Sequence, residues 1–267
     1  MTKQFLFGFL VASLLSAGYV ALKYISDEEM AVDIDQVFKP CTILTVPNAV
    51  SDTIPQYSHI KGKMLPPGTY TYATRNSTGR NKLWIDLGFD IYELITDSLH
   101  FERIDVWEDA DIKIAANDAG GSRAYTGTDI FLIDAYDPQQ PTMWLGKPIY
   151  HAYDLYVLIH ELGHNLGLAH EHPNPKNGIK WRRKLMYDEV FSKSPYNWTW
   201  ERANVWFDGF DPEKYELSEF DAESAWLYYY PCKYTLDSIG CGKINYFFSR
   251  GDIKGLQSDY GNPFKDN

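Results

Sequence analysis

Three histidines and one glutamate lie close together in a segment of this 267-residue chain that reads HELGHNLGLAH, residues 160–170. His160 and His164 are four residues apart, so on an α-helix they occupy one face, one turn apart. Two neutral imidazoles on such a face can bind a single metal ion. Glu161 follows the first histidine directly, so its carboxylate can lie beside the metal and accept a proton from a bound water.

The residues that follow supply a third ligand. Gly167 can adopt the left-handed backbone conformation that ends a helix and reverses the chain, which allows His170 to return to the metal. Three protein ligands leave the fourth position to water, and this is typical of a catalytic zinc rather than a structural one. The alternative is a helix with unrelated histidines, and it requires three of the seven histidines in the chain to occupy these positions by accident.

The extended pattern resembles the motif of the metzincin zinc endopeptidases, and Glu171 after the third histidine is similar to the astacin-like branch, especially its secreted microbial members. Other segments similar to that branch are Ala110–Ile114, Gly121–Asp129, Pro141–Gly146, His170–Pro175 and Phe220–Tyr228. The similarity extends over about residues 66 to 260. It implies an α+β fold, in which a twisted mixed sheet and an active-site helix lie above a mostly irregular and helical C-terminal subdomain.

The resemblance also implies an activity: a zinc endopeptidase that hydrolyses protein or peptide substrates with one catalytic ion and no covalent intermediate. The three histidines are then the metal ligands, and Glu161 is the general base and later the general acid. Tyr228 is implied as a removable zinc ligand that donates a hydrogen bond to the transition-state oxyanion. The alternative is that the tyrosine run 228–230 simply packs as a strand.

The substrate is expected to add an extended strand to the sheet edge, where the predicted contacts are Ser122, Arg123, Ala124, Tyr125 and Thr126. At Arg123 the sequence departs from the family, which has an aromatic residue there, and this change can alter which substrates are accepted.

Trp226 is a second departure, because it occupies the position of the methionine that lies under the zinc in the Met-turn of the family. Overpacking a close site costs about 1–3 kcal/mol. Either the turn is rearranged, or the protein holds its zinc differently. The alternative function is therefore a catalytically impaired binding protein or effector on a metzincin fold.

Two other ligand sets remain open at this stage. His172 can replace the third histidine if the turn is shifted by two residues. In a zincin of the other branch, a downstream glutamate such as Glu189 is the third ligand, and His170 is then dispensable for zinc binding. His59, His100 and His151 are expected to be surface or structural histidines.

Composition restricts the partners and the compartment. A net charge of −11 argues against nucleic acid, whose phosphates repel such a chain, and we expect a monomer. Residues 1–22 resemble a secretory signal peptide, which predicts an extracellular protein; the alternative is a single-pass membrane anchor formed by residues 5–22. Residues 23–65 are predicted to be an N-terminal arm or propeptide, and residues 66–267 the catalytic domain, with an upper subdomain to about residue 170.

Secretion agrees with two further features. Asn76 and Asn197 begin N-glycosylation triplets, and an oxidising compartment favours at least one disulfide. The cysteines are Cys41, Cys232 and Cys241, and the sequence leaves their three pairings open.

Periodicity and punctuation predict the elements that position the motif. The predicted strands cover about residues 68–75, 101–107, 112–114 and 129–134. The predicted helices cover 81–98, 153–166 and 248–260, the last with Ser249 as its N-cap, and one or two further helices fall within 180–210.

Overall fold

The structure is a computed structural model that describes residues 42–44, 59–60, 62–147, 149, 152–194, 196–209, 215–216, 219–227 and 229–264. The predicted signal peptide or anchor, Cys41 and Tyr228 lie outside these residues. Within the described part of the chain, no helix is both long enough and apolar enough to cross a membrane.

A mixed sheet forms the frame of the domain. Its strands in chain order are β1 (Thr42–Leu44), β3 (Gly68–Arg75), β4 (Leu99–Arg103), β5 (Ile112–Ala116), β6 (Arg123–Tyr125) and β7 (Met143–Leu145). They lie side by side in the order β1-β6-β7-β5-β3-β4. The β6–β7 pair is antiparallel and the other pairs are parallel. Strands β2 (His59–Ile60) and β8 (Tyr215–Glu216) form a separate antiparallel pair.

The helices are α1 (Gly79–Ile95), α2 (Asp129–Tyr136), α3 (Ala152–Leu166), α4 (Arg183–Met186), α5 (Trp200–Asp208) and α6 (Arg250–Tyr260). A π-helical turn, Tyr187–Phe191, continues α4, and a 3-10 turn covers Cys232–Tyr234. Mixed strands and helices in this order confirm the predicted α+β fold class.

Helix α1 lies where the sequence predicted it, but it buries a different face. The residues of this segment that recur at helical spacing and suggest its apolar face are Trp84, Leu87, Ile91, Leu94 and Ile95. Leu87 is 40% exposed, whereas Phe89 and Tyr92 are almost fully buried. The Tyr92 hydroxyl donates a hydrogen bond to the carbonyl oxygen of Ile159 at 2.8 Å, so α1 is tied to the back of α3. Aromatic size therefore decides the packing here rather than the aliphatic spacing.

The predicted strand at residues 129–134 is wrong, because this segment is helix α2. The segment is a short apolar run between two aspartates, and its buried pair is Ile130 and Ile133, which follows the i, i+3 spacing of a helix face. The buried carboxylate of Asp129 in the first turn pairs with Lys63 at 2.5 Å and is favoured by the helix dipole.

The C-terminal helix α6 confirms its predicted start. The Ser249 hydroxyl accepts a hydrogen bond from the Asp252 amide at 2.9 Å, and the Asp252 carboxylate accepts one from the Ser249 amide at 2.9 Å. This reciprocal capping box fixes the beginning of the helix. Of the three open cysteine pairings, Cys232–Cys241 is formed, with 4.9 Å between the Cα atoms.

Candidate metal centre

Helix α3 carries the first half of the motif. Its apolar residues pack on the sheet and on α1, and the buried members are Leu155, Leu158, Ile159, Leu162 and Leu166. His160 and His164 occupy the neighbouring face, as their spacing predicts, and both are buried. Glu161, between them in sequence, is only 1% exposed.

The three predicted ligands converge. The Nε2 atom of His160 lies 3.1 Å from that of His164 and 3.0 Å from that of His170, and the remaining pair is 3.1 Å apart. Three nitrogens bound tetrahedrally to one zinc ion at about 2.0–2.1 Å would be about 3.3 Å apart. A slight opening of the triangle is therefore enough to accommodate the ion.

The tautomers also fit a metal. Nδ1 of His160 donates to the Ala225 carbonyl oxygen at 2.9 Å, and Nδ1 of His164 donates to the Leu168 carbonyl oxygen at 2.8 Å. Because a carbonyl only accepts, both rings carry their proton on Nδ1, and both Nε2 atoms present lone pairs. Two lone pairs that face each other at 3.1 Å cannot form a hydrogen bond, whereas a cation between them satisfies both.

Burial keeps these imidazoles neutral. Desolvation lowers the pKa of His160 to about 4, against an opposing effect of its hydrogen bond to Ala225. Desolvation, with mutual repulsion between the charged rings, also holds the pKa of His164 and of His170 well below the ordinary histidine range. Neutral imidazole is the form that binds metal, so at neutral pH this site needs no proton release from the rings.

The third ligand depends on a turn and on a distant segment. Gly167 has φ +111°, and its Cα packs so closely on residues 63–64 that an added Cβ would lie 2.8 Å from the Met64 Cα. After this turn His170 returns to the helix face. The Glu171 amide donates to the Trp226 carbonyl oxygen at 2.9 Å, which anchors the chain directly after the ligand.

The competing ligands are not in the cluster. Within the described residues, the one group of His, Cys, Asp and Glu side chains able to hold a metal is the predicted triad. Glu189 instead pairs with Lys233 at 2.9 Å and accepts a hydrogen bond from Tyr234 at 3.1 Å. His172 is buried against the Trp206 ring, with a centroid separation of 4.2 Å.

The departure at Trp226 is accommodated within the turn. The indole is buried beneath α3, and its Nε1 donates to the His160 carbonyl oxygen at 3.2 Å. Hydrogen bonds from the Ser224 amide to the Asp221 carbonyl and from the Leu227 amide to the Ser224 carbonyl close the turn around it. The tryptophan therefore lies under the ligand triad without separating its members.

At the predicted substrate edge, several side chains are buried or bonded within the protein. Ala124 and Thr126 are buried, and the Ser122 hydroxyl accepts a hydrogen bond from the Gly146 amide at 3.0 Å. The Arg123 guanidinium donates to Asp118 at 2.6 Å, and its carbon lies 4.3 Å from the centroid of the Trp144 ring. This pairing also lowers the pKa of Asp118. The four side chains thus serve the scaffold, which leaves the backbone of β6 as its bonding surface.

That backbone is paired on its outer side. Strand β1 runs parallel to β6, with Thr42 opposite Arg123 and Leu44 opposite Tyr125. In this structure, residues of the N-terminal segment therefore lie where the sequence predicted a substrate strand.

Two functional contacts were missed in the sequence. Asn165, buried beside the second ligand, donates from Nδ2 to the Tyr125 carbonyl oxygen at 2.7 Å and so links α3 to β6. The only signal was a polar residue within an otherwise apolar helix face. Asp252 accepts a hydrogen bond from the Ala225 amide at 2.8 Å in addition to capping α6, and no local pattern predicts that contact.

Comparison with known proteins supports the architecture. No family model matches the chain, and no curated protein matches it in sequence. Its fold is similar to two structures of myroilysin, both at 20% identity. One gives a TM-score of 0.66 over 76% of this chain and 97% of that chain, the other 0.56 over 83% and 99%.

A third similar structure is that of high choriolytic enzyme 1, a hatching enzyme zinc-protease from the medaka fish Oryzias latipes. It aligns at 13% identity over 82% of this chain and 100% of that chain, with a TM-score of 0.47. The likeness to myroilysin supports the predicted fold, and the structure brings together the three histidines of the motif.

Proposed function

We propose that the protein is a zinc-dependent endopeptidase that hydrolyses peptide bonds in protein or peptide substrates. The observation that carries this proposal is the convergence of three Nε2 atoms within 3.0–3.1 Å, with a buried glutamate next to the first of them in sequence. A structural zinc site would be closed by a fourth protein ligand. Among the described residues, the cluster stops at three histidines, as a catalytic site requires.

The chemistry is divided between the ion and the chain. When bound, zinc lowers the pKa of a water molecule to about 7 and polarises the carbonyl group of the scissile bond. Glu161 accepts the proton of the attacking water and later delivers it to the leaving amine.

Two further roles complete the mechanism we propose. Tyr228 donates a hydrogen bond to the oxyanion of the transition state, a role that the family resemblance supports and for which a phenol is suited. The substrate pairs with the β6 backbone between Ser122 and Thr126 as an added strand. The Arg123 guanidinium and the Ser122 hydroxyl are bonded within the protein, which supports recognition at this edge by main-chain hydrogen bonds.

We also propose that the protein is secreted as a latent precursor. Residues 1–22 act as the signal peptide and residues 23–65 as the propeptide. The pairing of β1 with β6 supports this assignment, because a substrate strand cannot add to β6 while Thr42–Leu44 is there. Exposure of Asn76 and Asn197 supports glycosylation of both.

The test is hydrolysis of a general protein substrate by the secreted protein, before and after limited proteolysis that removes the N-terminal segment. Activity should appear after processing, disappear with a zinc chelator, and return with added zinc. Glu161→Gln should lower kcat at least a hundredfold while one zinc per chain remains bound, and Glu223→Gln, at an exposed carboxylate, is the matched control.

The alternative of an impaired binding protein gives a different result. It predicts one bound zinc per chain but no hydrolysis above the Glu161→Gln background, even after processing. Absence of stoichiometric zinc from the wild-type protein would overturn both functions.

A further inference from the structure

The dipeptide Ala225–Trp226 contacts both segments that carry metal ligands. The Ala225 carbonyl accepts the Nδ1 proton of His160 at 2.9 Å, which fixes the orientation of the first ligand. The Trp226 carbonyl accepts from the Glu171 amide at 2.9 Å, one residue beyond the third ligand. The carbonyl groups of two consecutive residues therefore link the ligand helix to the ligand loop.

The indole of Trp226 adds a contact that a methionine cannot make. Its N–H donates to the backbone oxygen of His160 at 3.2 Å, so the first ligand is held by this dipeptide through both its side chain and its main chain. The ring is 3% exposed and stacks on Phe248 at a centroid separation of 5.7 Å and an interplanar angle of 25°. Burial and the contact with Phe248 thus fix the position of the donor.

Gly163 creates the space for this ring. A Cβ added to Gly163 would lie 2.2 Å from one indole carbon and 2.6 Å from the indole nitrogen. Glycine inside a helix is unfavourable relative to alanine, since it loses more backbone entropy on folding. At this position the missing side chain allows the indole to lie directly against the backbone of the ligand helix.

The turn that contains Ala225 and Trp226 also contacts the C-terminal helix α6. The Asp252 carboxylate, already engaged in the capping box of α6, accepts from the Ala225 amide at 2.8 Å. The dipeptide is therefore fixed by the ligand helix, by the ligand loop and by the C-terminal helix.

We infer that Trp226 is a positioning residue of the metal centre: seated against Gly163, its indole N–H and its backbone hold His160 and the His170 loop at the separation that binds zinc. The inference depends on the proposed function only for the identity of the metal. It also explains how a tryptophan can replace the methionine, because Gly163 has no side chain where the large ring lies.

The first test is the zinc affinity of the folded protein, measured by competition with a chelator of known affinity. Trp226→Phe keeps an aromatic ring against Gly163 and removes the donor, and Trp226→Met restores the residue of the family. We expect zinc binding about tenfold weaker for each, as is typical when a partner of a metal ligand is lost. The absorption spectrum of the cobalt-loaded protein should shift in both variants, because it reports ligand geometry.

A purely structural role gives another pattern. Trp226→Phe and Trp226→Met would then lower the Tm of apoprotein and zinc-loaded protein equally, with zinc affinity and cobalt spectrum unchanged. That result would overturn the inference. Since neither readout uses hydrolysis, failure of the peptidase proposal is seen separately, as wild-type protein that binds zinc without cleaving substrate.

The second test uses the match between ring and glycine. Gly163→Ala in the wild-type background should lower the Tm by about 5 °C, because the ring must move. In the Trp226→Met background the same change should raise the Tm by about 2 °C, as expected for glycine to alanine in a helix with free space. The matched control is Gly255→Ala in α6, where an added Cβ meets nothing within 4 Å.

The sign of the Gly163→Ala effect is decisive. A Tm change of the same sign and size in both backgrounds would show that Trp226 and Gly163 are not coupled. That result would overturn the proposed packing of the indole against Gly163. If Trp226→Met does not fold, Trp226→Phe with Gly163→Ala takes its place, and a smaller Tm loss than in wild type is the expected result.

Discussion

The ligand triad has a helical half and a loop half, and they are positioned in different ways. His160 and His164 are placed by the repeat of one helix, whose backbone hydrogen bonds are all local. His170 lies in an irregular segment that returns to the helix only because distant parts of the chain contact it. The comparison shows that the spacing within the eleven-residue motif sets the positions of the first two ligands, whereas the position of the third ligand depends on the rest of the fold.

The loop half is held from several sides. Gly167 packs on residues 63–64, and the Pro173 carbonyl lies so close to Gly209 that an added Cβ there would be 2.7 Å away. Asn177 donates from Nδ2 to the His172 carbonyl oxygen at 2.5 Å. Each contact joins residues that no local sequence pattern pairs. We therefore expect the loop half to be the more sensitive to substitutions outside the ligands themselves.

The largest effect should come from removing the loop ligand. His170→Ala is expected to weaken zinc binding by about 3–4 kcal/mol, since about 10–16 kcal/mol of zinc affinity is shared by the ligands of a site. Glu189→Ala is the control, because Glu189 pairs with Lys233 outside the triad. Chelator competition measures both. Retention of wild-type affinity in His170→Ala, with loss in Glu189→Ala, would replace the triad with the other ligand set.

The turn between the halves should have the next largest effect. Gly167→Ala places a Cβ 2.8 Å from the Met64 Cα at a backbone φ of +111°, so we expect unfolding to require about 3 kcal/mol less free energy. Gly178→Ala is the matched control, because its φ is +65° but the nearest atom to an added Cβ is 3.7 Å away. It should cost about 1 kcal/mol.

Urea unfolding of both variants, with and without zinc, measures this difference. Equal losses at Gly167 and Gly178 would mean that the turn needs only the positive φ and that its packing on residues 63–64 contributes nothing to the loop half.

The same division explains how much the sequence predicted. The shared face of His160 and His164, the approximate bounds of α3 and the N-cap of α6 at Ser249 follow from the spacing of a few residues, and the structure agrees with them. Helix α2 was predicted as a strand, and a short apolar run bounded by two aspartates fits a strand and a buried helix equally well.

The packing of Trp226 against Gly163 could not be predicted from the sequence, for a related reason. Gly163 and Trp226 are each visible in the sequence, and Trp226 alone indicates an overpacked site. They lie 63 residues apart in sequence, and their contact is a tertiary one. Because Gly163 on another element provides the space for the ring, the site is not overpacked. Similarly, nothing near Asp252 predicts that its carboxylate also accepts a hydrogen bond from the Ala225 amide.

Acid should act on both halves alike, because all three rings are buried, and each ring by itself should contribute less than the substitutions above. The folded pKa of His160 is about 4, below the ordinary value of 6.5 in the unfolded chain, and burial is the main cause. Between these values the unfolded state binds more protons than the folded state, so apoprotein stability is complete above about pH 6.5 and falls as the pH drops toward 4. His160 alone should contribute a loss of about 1 kcal/mol between pH 7 and pH 5.5.

Urea unfolding of metal-free protein at these two pH values measures the total, and His170→Gln, which removes one buried ring from the loop half, should reduce the loss. A loss that is undiminished in His170→Gln but smaller in His160→Gln would mean that the loop ring is solvated, and that the two halves differ in burial as well as in how they are placed.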